Sequence, residues 1–359
     1  MRDRVAIVYN QPSESRCDGR DEQAAVFGIL EAVEVVHHAL IRLGYDVLQL
    51  PLAPPLEWAR KRLGELKAEL VFNLFEGFAD YPETEAEIAD TLSALGKAYT
   101  GCPPAALKLA LDKSQTKALL RSAGIKTPDF QLLNLETLSM FSLSYPCIVK
   151  PGGEDASNGL SQRSVVYDFA SLREQVDNIS RSYGGQALVE HFIDGREFNA
   201  TVLGDTVLPV SEIDYSLPAG VPRILTFAAK WQPDSPYFKG TRVVCPAQIE
   251  DKEREHIAQT ALSAFALLGC HGYGRVDMRL DRKGRLNVIE VNPNPDISPD
   301  AGAARQAEAA GMAYHQFIDR IIEIALEKEG DDHRDTPDGK KGQASPDENT
   351  AGYARVQTG

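Results

Sequence analysis

The sequence predicts a mixed fold that begins as α/β and continues as α+β. Short apolar runs at residues 5–9, 47–50 and 69–75 are typical of buried strands. Between the first two runs, residues 24–43 carry apolar side chains at three- and four-residue steps, which predicts a helix that ends near Gly44. This order of strand, helix and strand favours a parallel sheet covered by helices.

Later segments break this alternation and predict smaller α+β units. We expect strands at residues 146–150, 164–167, 187–192, 273–280 and 285–291, and helices at 82–95, 112–123, 169–183, 250–268 and up to about 326. We therefore divide the folded part into an N-terminal α/β substrate-side domain (1–105), a central small α+β domain (106–195) and a C-terminal domain (196–328). Residues 329–359 have too few apolar side chains to offset the entropy of ordering, so we expect a disordered tail.

The charge and the cysteine content narrow the class of protein. A formal net charge of −14 argues against binding to nucleic acid or to an anionic membrane, because both need a basic surface. No apolar run approaches the roughly 18 residues of a membrane span, and the N-terminus is unlike a signal peptide. The five cysteines form no C-x-x-C pair, which is typical of free thiols in a reducing compartment. We expect a cytoplasmic protein that acts on small molecules, without a nucleic-acid or membrane partner.

Two of the predicted strands carry charged and amide side chains close together. Alternation places Arg275 and Asp277 on one face of the first strand. It likewise places Glu290 and Asn292 on one face of the second. If the strands pair, this face offers oxygen ligands suited to Mg²⁺, beside an arginine that can stabilise developing negative charge. A solvated strand face with an ion pair explains the same pattern.

Lys150 is a candidate phosphate ligand, because it ends an apolar run and precedes a glycine-rich turn at residues 151–159. A lysine so placed can reach nucleotide phosphates, and the turn can lay backbone N–H groups over them. A glycine-rich hairpin without a ligand fits the residues as well. The chain contains neither a G-x-x-x-x-G-K-[ST] loop nor a G-x-G-x-x-G motif, so a nucleotide site here would be of another type.

Glu190 and Glu197 stand seven residues apart around a predicted turn. Acids in this arrangement can hold a ribose or an adenine amino group. A hairpin with exposed ends accounts for the same spacing, so both interpretations stay open.

Nine short motifs follow one another through most of the chain. They are V-F-N-L-F-E-G (71–77), Y-T-G (99–101), D-K-x-x-T-K (112–117), G-I-K-T-P (124–128), V-K-P (149–151), E-H-F-I-D-G-R-E (190–197), L-G-C (268–270), G-R-V-D (274–277) and I-E-V-N-P (289–293). In order and spacing they resemble the ATP-grasp superfamily, and within it the D-alanine–D-alanine ligase branch. The resemblance covers about residues 1–327.

The resemblance implies an ATP-grasp fold with an N-terminal parallel-sheet (pre-ATP-grasp) domain, and ATP held between the central and C-terminal domains. By matched position it implies ATP binding by Lys113, Lys150, Glu190, His191, Phe192 and Glu197, to which we add Ser157 of the glycine-rich turn. It implies Asp277, Glu290 and Asn292 as ligands of Mg²⁺ or Mn²⁺, with two ions. It implies catalytic roles for Lys230, on the γ-phosphate side, and for Arg275, at the tetrahedral intermediate. Because family members are often homodimers, it implies a homodimer as well.

The chemistry implied by the resemblance is amide-bond formation by an ATP-dependent ligase. A carboxylate oxygen attacks the γ-phosphoryl group, an amine attacks the acyl phosphate, and phosphate leaves, so that catalysis is largely positioning and charge stabilisation. Amino acids are the expected carboxylate and amine substrates. The alternative is a non-catalytic ATP-binding or regulatory protein of the same fold. Retention of four residues argues against it, because a pure binder needs no transition-state arginine. They are Arg275, Asp277, Glu290 and Asn292.

Departures from the family pattern concentrate in the amino-acid half. Residues 10–16 replace the usual opening segment, whose glutamate helps to anchor the first amino acid's ammonium group. Ala156 and Trp231 stand where a serine and a tyrosine are usual, and Asp296 replaces a glycine that helps to form an oxyanion site. We therefore expect retained phosphoryl chemistry with a changed donor or acceptor, and D-alanine is not our leading expectation for the substrate.

Overall fold

The computed structural model describes residues 3–11, 20–78, 81–152, 160–183, 185–226, 228–229, 232 and 234–332. Within these ranges the chain forms three sheets, two of four strands and one of six. Every strand pair of the first sheet is parallel, and every pair of the two later sheets is antiparallel. The predicted combination of α/β and α+β is therefore confirmed.

The first sheet comes from the N-terminal part of the chain. Its strands are β1 (Arg4–Asn10), β2 (Asp46–Leu52), β3 (Leu70–Leu74) and β4 (Ala98–Tyr99), in the order β2-β1-β3-β4. The helices of this part are α1 (Arg20–Arg42), α2 (Leu56–Gly64) and α3 (Thr84–Ala94). Residues 5–8 of β1 are wholly buried, as their apolar run predicts. The two-residue strand β4 has no alternation long enough to be recognised in the sequence.

The central sheet has the order β5-β8-β6-β7. Its strands are β5 (Phe130–Leu133), β6 (Cys147–Pro151), β7 (Val165–Val166) and β8 (Ala187–His191), preceded by α4 (Pro104–Leu111) and α5 (Lys113–Ser122) and covered by α6 (Phe169–Tyr183). Asp112 is the N-cap of α5, because its Oδ1 accepts hydrogen bonds from the backbone N–H groups of Ser114 (3.1 Å) and Gln115 (2.9 Å). Asp112 thus fixes the start of α5, where the sequence predicts a helix.

The third sheet is the largest, with the order β12-β11-β9-β13-β14 and β10 paired to β9. Its strands are β9 (Glu197–Leu203), β10 (Thr206–Val207), β11 (Ser211–Tyr215), β12 (Thr241–Val244), β13 (Tyr273–Leu280) and β14 (Leu286–Pro293). Its helices are α7 (Pro236–Lys239), α8 (Asp251–Leu267), α9 (Gly302–Ala309) and α10 (Tyr314–Asp332). α8 packs on β9, β13 and β14, while α10 packs on α1 and β4.

The hydrophobic core is divided unevenly among these parts. One buried cluster joins Phe75 of the N-terminal part to Phe198 and Val276 of the third sheet. The central sheet has a separate cluster, to which Val149 and Leu172 belong. The central sheet therefore has its own core, whereas the helices α4 and α5 that precede it pack into the shared cluster through Ala106, Leu107 and Leu120.

The C-terminal helix is longer than the sequence predicted. α10 ends at Asp332, whereas the apolar pattern predicted an end near residue 326 and a tail from residue 329. The rest of the predicted disordered tail, residues 333–359, lies outside the described residues. Among the helices that the structure describes, none combines the length and apolar character needed to cross a lipid bilayer.

Candidate active site

The strand pair β13–β14 brings together the side chains that alternation had placed on one face. The antiparallel register sets Arg275 opposite Asn292 and Asp277 opposite Glu290. The register shifts directly after Asp277, where β14 contains one extra residue, Ile289. Such a bulge bends a strand and re-aims neighbouring side chains, and bulges are frequent beside functional sites. The predicted pairing of the two strands is confirmed.

Asp277 lies at the centre of a hydrogen-bonded group. Its Oδ1 accepts from Arg275 Nε (2.7 Å) and from Asn199 Nδ2 (2.6 Å), and its Oδ2 accepts from a second Arg275 nitrogen (2.9 Å) and from Asn292 Nδ2 (3.0 Å). Burial disfavours the charge of Arg275, but Asp277 and, less strongly, Glu290 raise the pKa of the guanidinium above its usual value. Arg275 therefore remains a fixed positive charge on this strand face.

Asn199 was missed by the sequence reasoning. It lies on β9, where the register sets it directly opposite Asp277. A signal was present, since Asn199 follows Glu197 by two residues and so shares its face of the strand. What the sequence does not contain is the register between β9 and β13.

Lys113 approaches the same strand face from α5. It is the first residue of the helix after the Asp112 cap, and only 9 % of it is exposed. Its Nζ lies 2.8 Å from Glu290 Oε1. Burial disfavours ionisation of Glu290, but the charges of Lys113, Lys150 and Arg275 lower the pKa of this carboxyl well below its usual value. Lys113, Glu290 and Arg275 therefore form one charged group.

Glu190, on β8, lies between two lysines. Lys150 Nζ is 2.6 Å from Glu190 Oε2, and Lys117 Nζ forms an ion pair with Oε1. Glu190 is only 1 % exposed, which opposes ionisation, yet the two lysines lower the pKa of its carboxyl to about 2. The carboxylate is therefore charged throughout the physiological range.

Lys117 is a second residue that sequence reasoning left out of the site. Its Nζ also donates to Thr127 Oγ1 (3.0 Å) and to the carbonyl of Ile289 (2.9 Å). It thereby links the central sheet to the bulged part of β14. The motif that contains Lys113 already placed Lys117 four residues later, on the same helix face.

The segment after β8 carries the residues predicted to face adenine. The backbone N–H groups of His191 and Phe192 donate to the carbonyls of Asp129 (2.8 Å) and Pro146 (2.9 Å). The N–H group of the buried Ile193 finds no acceptor among the residues that the structure describes. Because buried N–H groups are almost always paired, an acceptor from outside the chain fits this position. The adenine contacts of His191 and Phe192 stay predictions.

Glu197 begins β9 and has two partners that were not predicted. Tyr215 donates a hydrogen bond from its hydroxyl to Glu197 Oε2 (2.7 Å), and Arg279 forms an ion pair with the same oxygen. The role of Glu197 as a ribose ligand is untested and stays a prediction.

Residues 294–298 follow β14 and adopt no regular structure. Asn294 has a positive φ of 50°, and its Oδ1 accepts from the N–H of Cys102 (2.7 Å). Asp296 Oδ1 accepts from the N–H (2.8 Å) and the hydroxyl (2.7 Å) of Ser298. The charge of Asp296 also contributes to the raised pKa of Arg275. A negative side chain thus lies near the predicted catalytic arginine.

Several of the predicted site residues lie outside the described part of the chain. These are Ser157 and Lys230, together with the departures Ala156, Trp231 and residues 12–16 of the opening segment. Their roles stay predictions.

The donor set of Asp277, Glu290 and Asn292 fits a hard divalent cation such as Mg²⁺ or Mn²⁺ better than a soft metal that prefers nitrogen or sulfur. Two carboxylates and one amide offer only oxygen, and Mg²⁺ takes few protein ligands and completes its shell with water and phosphate oxygens. Elsewhere in the described ranges the chain likewise forms no cluster of three or more His, Cys, Asp and Glu side chains able to hold a metal. The three residues could bind Mg²⁺ once a phosphate ligand shares it.

Comparison with known proteins gives a consistent result. The model of the family described as D-ala D-ala ligase C-terminus matches residues 119–323. The D-alanine–D-alanine ligase of Pseudoalteromonas translucida is 31% identical over 327 residues, which cover 90% of this chain and 97% of that protein. An uncharacterized protein of Sinorhizobium fredii, y4sG, is 33% identical over 333 residues, which cover 90% of this chain and 92% of that protein.

Solved structures agree in fold. The D-alanine–D-alanine ligase from Bacillus anthracis complexed with ATP superposes with a TM-score of 0.70 at 20% identity, covering 92% of this chain and 100% of that chain. The VanG D-Ala:D-Ser ligase from Enterococcus faecalis gives 0.69 at 18% identity, covering 90% and 100%. The family match and the fold define an ATP-grasp enzyme, an ATP-dependent ligase that forms carbon–nitrogen bonds. The chain belongs to the D-alanine–D-alanine ligase family.

Proposed function

We propose that this chain is a carboxylate–amine ligase that uses ATP and Mg²⁺ to form an amide bond through an acyl phosphate, with an amino-acid pocket unlike that of the D-alanine–D-alanine ligases. The observation that carries the proposal is the convergence of Lys113 and Lys150 on the carboxylates of Glu290 and Glu190. We call these four residues the phosphate end of the cleft, and residues 294–298 the amino-acid end.

The phosphate end supplies positive charge to a bound triphosphate. When ATP enters, its phosphates compete with Glu290 and Glu190 for Lys113 and Lys150, so that charges already held in the cleft are redirected without being newly desolvated. The N–H of Ile193, which has no acceptor among the described residues, offers a donor to the adenine ring. Positioning of this kind supplies most of the catalysis in phosphoryl transfer.

The metal ligands in the proposal are Asp277, Glu290 and Asn292. Bound Mg²⁺ would neutralise charge on the transferred phosphoryl group. Asp277 is held for this role by Asn199 and Arg275, which fix its orientation. Asn292 now presents its amide N–H₂ to Asp277, and a rotation of the amide presents its oxygen instead.

The reaction then has two steps. A substrate carboxylate oxygen bonds to the γ-phosphorus as the bond to ADP breaks. The amine next attacks the acyl carbon, and phosphate leaves with the former carboxylate oxygen. Asp277 holds Arg275 close to Glu290. We propose that Arg275 stabilises the negative charge that develops on the acyl oxygen.

The amino-acid end supports a changed substrate. Asp296 places a carboxylate where the family has a glycine, and its charge acts on Arg275. A substrate group with a free carboxylate is repelled there, whereas an ammonium group is attracted. We therefore propose small-molecule carboxylate and amine substrates, amino acids among them, with a neutral or cationic group at this position.

A cytoplasmic location and a homodimer complete the proposal. The four cysteines in the described part of the chain are free thiols, which suits a reducing compartment. The homodimer is proposed on family resemblance alone.

The experiment that tests the function is a substrate screen. The chain is incubated with ATP, Mg²⁺ and pairwise pools of carboxylates and amines, including D-alanine and D-serine, and released phosphate is measured before mass spectrometry of the product. We expect phosphate release that needs both substrates and a product lighter by one water than their sum. ATP binding without phosphate release from any pool would favour the non-catalytic binder.

A further inference from the structure

We propose that Arg279 is a positioning residue for the nucleotide, which holds the Glu197 carboxylate ready for the ribose hydroxyls and ties it to the segment beside adenine. This assignment rests on the proposed ATP-binding function. It concerns a residue to which the sequence motifs assign no role, because the G-R-V-D motif ends two residues earlier.

Arg279 is a buried guanidinium with three separate acceptors. Only 6 % of the residue is exposed. One terminal nitrogen donates to the carbonyl of Ile193 (2.9 Å). The other donates to the carbonyl of Arg223 (2.6 Å) and forms the ion pair with Glu197 Oε2. Ile193 and Glu197 flank one turn, whereas Arg223 belongs to a separate segment, so the guanidinium fixes the turn relative to that segment.

Each of these segments carries part of the proposed nucleotide site. Ile193 presents the unpaired N–H next to the predicted adenine contacts, and its carbonyl is the group that Arg279 holds. Glu197 is the predicted ribose ligand. Arg223 belongs to the stretch before Lys230, and its side chain also donates to Asp194 Oδ1 (2.7 Å), close to the same turn.

In this arrangement only one of the two carboxylate oxygens of Glu197 accepts hydrogen bonds. Tyr215 and Arg279 both bind Oε2, while Oε1 accepts no hydrogen bond within the described residues. Because the pair fixes one oxygen, the other has a defined direction. A vicinal diol such as the 2′- and 3′-hydroxyls of ribose supplies the donors that a fixed, ionised acceptor binds well.

Strand register adds a second argument. Arg279 lies directly opposite Glu197, and Asp277 directly opposite Asn199. Alternation puts all four on one face of the β9–β13 pair. The proposed ribose and metal positions are therefore carried by the same two strands, one pleat apart, so Arg279 also fixes the ribose position relative to the metal ligands.

An arginine suits this position for physical reasons. Its guanidinium is planar, always charged, and offers five N–H donors in a fixed fork. The carbon of the guanidinium also lies 5.4 Å from the centre of the Phe192 ring and 6.0 Å from that of Tyr215, which favours a buried cation. A structural explanation is that Arg279 only compensates buried acceptors, and the experiment below separates the two.

The test compares nucleotides that differ only in ribose. Affinities for Mg²⁺-ATP, 2′-deoxy-ATP and 3′-deoxy-ATP are measured by titration calorimetry for the wild type, Arg279→Met and Tyr215→Phe, with thermal unfolding of each protein. We expect the wild type to prefer ATP over the deoxynucleotides by about tenfold, the value of one charge-assisted hydrogen bond. In Arg279→Met we expect ATP and the deoxynucleotides to bind with about equal affinity. In Tyr215→Phe we expect an intermediate preference for ATP.

Arg282→Met is the matched control, because it removes the same charge three residues later from a side chain that is 86% exposed. We expect it to keep the wild-type preference. A preference for ATP that survives unchanged in Arg279→Met and in Tyr215→Phe, with only a lower melting temperature, would overturn the assignment while leaving the proposed function intact. If Arg279→Met does not fold, Tyr215→Phe decides the question alone. A wild type that binds none of the nucleotides would overturn the proposed function, and this assignment with it.

Discussion

At the phosphate end of the cleft, each side chain comes from a regular element: Lys113 begins a capped helix, and Lys150, Glu190 and Glu290 lie on strands. At the amino-acid end, Asn294 and its neighbours form an irregular segment after β14. The polar side chains at the two ends also differ in their hydrogen-bond and ion-pair partners. Lysines and glutamates at the first end form ion pairs with one another. At the second end, Asn294 bonds the N–H of Cys102 and the carboxylate of Glu85, and Asp296 bonds Ser298.

This difference explains how one family can keep its nucleotide chemistry and change its substrate. A strand register cannot shift without moving every side chain to the other face, so the phosphate end resists change. An irregular segment can exchange residues without disturbing a hydrogen-bond ladder. Among the departures from the family pattern, Asp296 falls at the amino-acid end, Asn10 and Gln11 lie at the end of β1, and the others lie outside the described residues.

The largest expected effect comes from Glu290→Gln at the phosphate end. The change removes one proposed metal ligand charge and the ion-pair partner of Lys113. Several kcal/mol of charge stabilisation are at stake, so we expect turnover to fall by at least about 100-fold. Phosphate release with the substrates found in the screen measures it.

Glu255→Gln, at an exposed position of α8, is the control and should keep wild-type turnover. If Glu290→Gln turned over at the wild-type rate, the metal assignment would be wrong.

Lys150→Ala should act on binding more than on the later chemistry. The lysine is the partner of Glu190 and the proposed phosphate ligand, and a charge-assisted hydrogen bond contributes about 1.5–3 kcal/mol. We expect the Kd for Mg²⁺-ATP to rise about 10- to 100-fold by calorimetry, while the exposed Lys108→Ala on α4 leaves it unchanged. Equal affinities in Lys150→Ala and wild type would exclude Lys150 from the phosphate site.

Strands β13 and β14 show which features of the site could be predicted from the sequence and which could not. Alternation within β13 and β14 correctly placed Arg275, Asp277 and Glu290 on one face, because alternation is a local property. The bulge at Ile289 and the ion pair of Lys117 with Glu190 could not be predicted, since both depend on how separate elements meet. The central strand β5 was missed for the same reason: its four residues are ordered by pairing with β8.

Lowering the pH should destabilise the folded protein, because Glu190 at the phosphate end becomes protonated. Its carboxyl has a pKa of about 2 when folded, below the ordinary 4.5, so its ionised form favours folding. This contribution is fully present above about pH 5 and is lost as the pH falls toward 2. Unfolding by urea between pH 6 and 3 measures it.

We expect the free energy of unfolding to fall with decreasing pH in the wild type, and less steeply in Glu190→Gln. The variant is less stable at pH 6, because Lys117 then lies buried without its carboxylate. Parallel curves for the two proteins would show that Glu190 does not titrate with folding.

The smallest effect on turnover is expected from Asp296→Gly at the amino-acid end. Removing this charge should leave the Kd for ATP unchanged and shift acceptor preference by about tenfold toward amines that carry a free carboxylate. A tenfold shift corresponds to about 1.4 kcal/mol, a size expected between partly solvated charges. The ratio of kcat/KM for paired acceptors with and without the carboxylate measures it. An unchanged ratio would remove Asp296 from the substrate pocket.

The acyl phosphate itself can be followed with labelled oxygen. The carboxylate substrate identified in the screen is prepared with ¹⁸O in its carboxylate and turned over with unlabelled ATP, and the released phosphate is analysed by mass spectrometry. Our account predicts one ¹⁸O atom in each phosphate released, because the carboxylate oxygen that attacks the γ-phosphorus leaves with it. Phosphate that carries no label, with amide product formed, would contradict the acyl phosphate and the roles assigned around it.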